Sequence, residues 1–197
     1  KEYLYAWNKE VTKVREKHLP FLKYKDKYLN GNLYPFSKHN KTINFCADFS
    51  NIVYSISEEN RVTPKYKLNF NYYEWPPETI YKKSYYKTIF EWSKGMKPYV
   101  QFLRFIESDN YCYIGFYIDG NRKNSFYNKK DKSVTCIDNF DDDMGLGTTH
   151  FEIVGHSKGY WYAIVRISEI DSIEKIKEKG YSISDDTEFI ILKFKLR

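Results

Sequence analysis

Glycine and proline are sparse, at nine and six of 197 residues. That excludes a collagen repeat and a linker-like, low-complexity chain. No apolar run approaches the roughly 18 residues that a membrane helix needs. Only three cysteines occur, Cys46, Cys112 and Cys136, with no Cys-x-x-Cys pair and no Cys/His cluster. A structural zinc site therefore has no ligand pattern to rest on. Each cysteine sits in a β-like stretch among apolar residues, which reads as a buried free thiol. A Cys112–Cys136 bridge between neighbouring strands is the other option, and spacing does not decide it. The Gly-x-Ser-x-Gly, His-Glu-x-x-His, P-loop and Gly-x-Gly-x-x-Gly patterns are all missing, so no nucleophile–base pair is assigned. The chain opens on Lys1 with no charged-then-apolar leader, so a mature product or a piece of something longer is expected.

The net charge is +6, but the basic residues are spread along the chain. The densest stretch, Lys9 to Lys27, has Glu10, Glu16 and Asp26 mixed into it. That pattern describes a solvated basic surface. A nucleic-acid partner would call for one contiguous basic face or an RNP-type or helix-turn-helix pattern, and the sequence carries neither pattern.

Aromatic residues are abundant. The chain has 20 Tyr, 14 Phe and 4 Trp, so 19% of it is aromatic against 42% hydrophobic in all. The clearest pattern runs from Tyr99 to Ile137. Residues 99–107 and 111–118 read as strands broken by Ser108, Asp109 and Asn110. In the second, Cys112, Ile114, Phe116 and Ile118 share one face, and Tyr111, Tyr113, Gly115 and Tyr117 share the other. Both faces are largely apolar, as in a strand covered on both sides. Asp119-Gly120 follows, a strong hairpin signal because a type I′ turn needs positive φ at both positions. Strands near 123–127 and 133–137 complete a four-stranded unit. A second unit spans 33–70, with strands expected at 33–36, 42–48, 52–57 and 65–70. A third spans 148–197, with strands at 150–155, 160–168 and 188–196. Its helix is expected at 171–179, capped by Asp171 and stopped by Gly180. Residues 1–16 read as half a unit, a hairpin of 2–7 and 11–15. An insertion, 71–98, separates the second unit from the unit at 99–137. Within it, a 3–4 spacing predicts a helix near 78–93.

A four-stranded sheet with two apolar faces cannot bury both alone. Radial stacking of such sheets covers both faces and leaves short edges, whereas a sandwich shows stricter one-face alternation. The expected fold is therefore all-β: a partial β-propeller of about three to four blades.

The residues at 46–57 and 62–70 carry a family resemblance. Asn51, Val53, Tyr54 and Ile56, then Pro64, Tyr66, Leu68 and Phe70, are similar to the paired strand motif of six-bladed β-propeller proteins from Bacteroidales. The hairpin at 125–131 before an acidic loop at 137–143, and the tail at 192–197, resemble them too. The chain resembles the C-terminal half of such a protein. Six blades of about 40–45 residues need some 250. The resemblance implies a missing N-terminal half, with a smaller ring or self-association as the alternative. It also implies export, as a secreted protein or lipoprotein of the cell envelope.

Three groups of residues are candidate sites. Asp138, Asp141, Asp142 and Asp143 are clustered carboxylates beside glycines, able in principle to hold calcium through oxygen. They lack the EF-hand spacing, so the expectation is a solvated loop and no cofactor. His150, Glu152 and His156 could serve acid–base chemistry, with His150 and Glu152 on one face of a strand and His156 at its end. Tyr72, Tyr73, Trp75, Tyr81, Tyr85, Tyr86 and Trp92 form a dense aromatic stretch. Trp75, Tyr85, Tyr86 and Trp92 are its expected ligand-binding residues, because flat rings with polar tips suit sugars, peptides or protein partners. The functional expectation is a noncatalytic binding or scaffolding propeller. The competing class is a propeller hydrolase or lyase, which needs its histidines and carboxylates to meet in one pocket.

Overall fold

The computed structural model describes residues 2–7, 14–21, 35–46, 50–74, 98–137, 151–170 and 172–196. Thirteen strands, one short α-helix and two single 3-10 turns occupy them. The strands form four open sheets. β1 (Glu2–Trp7) and β2 (Val14–Phe21) make a hairpin. Its second strand lies later than the expected 11–15, because Trp7 pairs with Val14 and Glu2 with Phe21.

β3 (Phe36–His39), β4 (Thr42–Cys46), β5 (Ile52–Ile56) and β6 (Val62–Lys67) form a four-stranded antiparallel meander. The first strand begins at Phe36, where the sequence reading ended it. The turn is tighter than expected: Asn40 takes a positive φ of 53° and Thr42 Oγ1 donates to the His39 carbonyl. β6 starts earlier than the expected residue 65 and contains Pro64, which a sheet tolerates at an edge. A register shift between Val53 and Tyr54 lets the proline sit there without a central ladder bond.

β7 (Gln101–Glu107), β8 (Tyr111–Ile118), β9 (Asn121–Asn128) and β10 (Val134–Ile137) follow in the order β10-β9-β8-β7. Asp119 and Gly120 have φ of 52° and 76°, the conformation a type I′ turn requires. Residues 112–115 are all buried, so β8 is covered on both faces. β9 lies between the strands of Cys112 and Cys136. Strands two places apart are roughly 9–10 Å apart, beyond disulfide reach, so the proposed bridge does not form. All three cysteines are free; Cys46 and Cys112 are buried, but Cys136 is exposed.

β11 (Glu152–Ser157), β12 (Tyr160–Arg166) and β13 (Phe189–Phe194) make a three-stranded antiparallel sheet. Between β12 and β13 lies α1 (Ile173–Glu178), whose N-cap position is Ser172 rather than the expected Asp171. At its other end Gly180 has a φ of 86° and donates to the Lys177 carbonyl, while Tyr181 donates to that of Ile176. This is a Schellman ending, which only glycine accepts without strain.

By packing, the chain divides into two units, Lys1–Phe105 with Phe116–Arg122, and Ile106–Gly115 with Lys123–Arg197. In the first, Phe45, Val53, Leu103 and Phe105 are buried, and Tyr66 rests on Phe105 at 5.4 Å between ring centroids. The second is built around Trp161, which meets Phe126 edge-on at 4.9 Å and lies among Tyr113, Ile153, Ala163 and Val165. The expected helix near 78–93 lies outside the described residues.

Candidate functional site

The chain leaves β6 along a path pinned at each step. Leu68 N–H donates to the Asn51 carbonyl at 2.7 Å. Asn69 Oδ1 accepts the Asn71 amide at 2.9 Å, and Asn71 adopts a positive φ of 53°. Asparagine tolerates that conformation because its short polar side chain bonds locally. A 3-10 turn over Asn71–Tyr73 follows, closed by Tyr73 N–H to the Phe70 carbonyl and Glu74 N–H to that of Asn71. Glu74 Oε1 accepts the Phe70 amide at 3.2 Å. The Phe70 ring packs edge-on against Phe116 of β8 at 5.1 Å, and Val100 N–H donates to the Tyr73 carbonyl.

This anchoring leaves Tyr72 79% exposed, with its ring centroid 4.2 Å from that of half-buried Tyr73. The Tyr73 phenol is raised above its ordinary value, first by a hydrogen bond with Tyr72 and then by the Tyr72 charge, with smaller effects of burial and of Asp119. Asp119 is the tip of the β8–β9 hairpin, so that tip lies within electrostatic reach of the turn. On the same hairpin the Arg122 guanidinium lies over the Tyr117 ring at 5.9 Å. The result is an exposed aromatic ring on a turn that also carries Asn69 and Asn71, both solvent-facing.

The expected ligand-binding residues Trp75, Tyr85, Tyr86 and Trp92 lie outside the described residues, as do His150, Asp138, Asp141, Asp142 and Asp143. Glu152 and His156 are described, and the structure does not bring them together. Four residues apart on a regular strand they would share a face. Val154 is an extra residue in β11, because Ile153 pairs with Ala163 while Gly155 pairs with Tyr162, the very next residue of β12. Glu152 therefore stands opposite Ile164, and His156 opposite Trp161, on the other face of the sheet. The His156 ring lies 4.8 Å from Trp161, at the rim of the buried core. Among the described residues no three His, Cys, Asp or Glu side chains are grouped so as to hold a metal ion.

Four-stranded antiparallel meanders, one of them with a central strand buried front and back, are the building unit of a propeller. A family described as 6-bladed beta-propeller, DUF5128, matches residues 1–161, and the chain belongs to that family. No curated protein matches it. Among solved structures it is similar to an exported-type protein of Bacteroides fragilis, at 11% identity and a TM-score of 0.59. The match covers 82% of this chain and 49% of that one, so the chain spans about half the length of that protein.

Proposed function

We propose that the protein is a noncatalytic binding or scaffolding β-propeller of the bacterial cell envelope, with blade-like units at 33–70, 99–137 and 148–197. The observation that carries this is the register slip in β11, which sets Glu152 and His156 on opposite faces. An acid–base pair must reach one bound substrate, and side chains on opposite faces of a sheet do not. What the fold offers instead is a set of rigid sheets carrying turns of variable chemistry, the usual arrangement of a recognition surface. The exported type of the Bacteroides fragilis neighbour supports an extracytoplasmic location. Among the described residues no helix is long and apolar enough to cross a membrane.

The test is a titration of the purified chain with glycan and peptide pools, followed by intrinsic tryptophan and tyrosine fluorescence. Saturable binding with every ligand recovered intact by mass spectrometry is the expected result. Turnover of any pool member, lost on His156→Ala, would establish the hydrolase or lyase instead. The solution mass of the same sample reports whether copies associate.

A further inference from the structure

We propose that the turn at Asn71–Tyr73 is a glycan subsite, in which the exposed Tyr72 ring stacks on one face of a neutral pyranose. The inference rests on the binding role above and names its ligand class.

An exposed tyrosine ring buttressed on a second ring offers a flat apolar surface that is already ordered. Tyr72 stands in that position, 79% exposed and 4.2 Å from Tyr73 between centroids. The turn beneath it is held by the Asn69 and Glu74 side chains and by the Phe70–Phe116 contact. Binding therefore requires little ordering of the backbone, which favours a small rigid ligand. A pyranose has one face of C–H groups and a rim of hydroxyls. The C–H face matches the ring of Tyr72. The hydroxyl rim matches amide and carboxylate side chains, which donate and accept in pairs. Asn69 and Asn71 supply that chemistry on the turn itself, and both are exposed. An extended apolar peptide would be better served by a groove than by a single exposed ring.

The experiment uses the full chain and a panel of cellohexaose, xylohexaose, maltohexaose and mannohexaose, read by calorimetry and tyrosine fluorescence. At least one hexasaccharide is expected to bind. Tyr72→Ala should weaken it roughly tenfold, as loss of a central aromatic anchor does, and Tyr72→Phe should bind within about twofold of the parent. Because Tyr72 is so exposed, neither variant should move the melting temperature. Equal affinity of Tyr72→Ala and the parent overturns the subsite. So does binding of peptides with no sugar bound, although the wider binding role then survives. Failure of every sugar and every peptide removes both.

Discussion

Tyr113 lies folded over Gly115 on the same face of β8. A Cβ placed on Gly115 would fall 2.3 Å from the Tyr113 hydroxyl oxygen and 2.8 Å from its ring. The tyrosine is fully buried, donates to Asn124 Oδ1 at 2.7 Å, and packs against Phe126 and Trp161. It has no room to retreat. Gly115→Ala should cost about 1–3 kcal/mol through overpacking. Tyr113→Phe keeps the ring but removes the donor to buried Asn124, for about 1–3 kcal/mol. Urea denaturation of both variants measures these losses. A neutral Gly115→Ala would mean that the ring does not sit there.

Lys129 joins two hairpin turns of the second unit. Its Nζ donates at 2.6 Å to both Glu107 Oε1 and the Ser108 carbonyl, and its amide donates to the Asn110 carbonyl. The Glu107 side chain is 2% exposed. Lys129→Met should cost about 3 kcal/mol, since it removes this cation from a buried carboxylate. The double variant with Glu107→Gln should recover part of that loss. A double-mutant cycle by chemical denaturation checks the coupling.

The three thiols should react at different rates. Cys136 is exposed, whereas Cys46 and Cys112 are buried. Burial pushes the Cys46 thiol up to about 12. Ellman's reagent at pH 8 should label one thiol quickly in native protein and three after guanidinium unfolding. The same burial makes stability pH-dependent. Unfolding lets Cys46 ionise near its ordinary value, so its contribution is complete below that value. It is lost as pH rises from there toward about 12. Cys46→Val should flatten this alkaline decline.

The β9–β10 turn contains an acid-sensitive contact. Asp131 Oδ1 accepts from the Ser133 hydroxyl at 2.6 Å and from its amide at 2.9 Å. These bonds, the hydroxyl's first, hold its carboxyl below the ordinary aspartate value. The stabilisation is present above that ordinary value and disappears as pH falls through the lowered one. An NMR titration should show Asp131 protonating at lower pH than an unconstrained aspartate. Ser133→Ala should return it toward the ordinary range.

Much of the architecture is written in local pattern. The Asp119-Gly120 turn, the two-faced apolarity of β8 and the stop at Gly180 each follow from the conformational needs of two or three adjacent residues, and each is where sequence alone places it. The residues at 46–57 and 62–70 likewise resemble the six-bladed propeller family to which the chain belongs. The strand around Pro64 starts earlier than local pattern predicts, because whether a proline interrupts a strand depends on its being at a sheet edge, and that is a matter of neighbours.

The site chemistry divides the same way. On a regular strand Glu152 and His156, four residues apart, would share a face, and nothing in their residue types announces that Val154 is extra in the ladder. The bulge exists only in relation to β12. Likewise Tyr72 and Tyr73 are alike in sequence, but one stands in solvent and the other is half covered. Composition and periodicity settle which segments become strands, since those are properties of a few neighbouring φ and ψ angles. Which side chain meets which is decided by cross-strand register and packing, where a single added residue reverses every face beyond it.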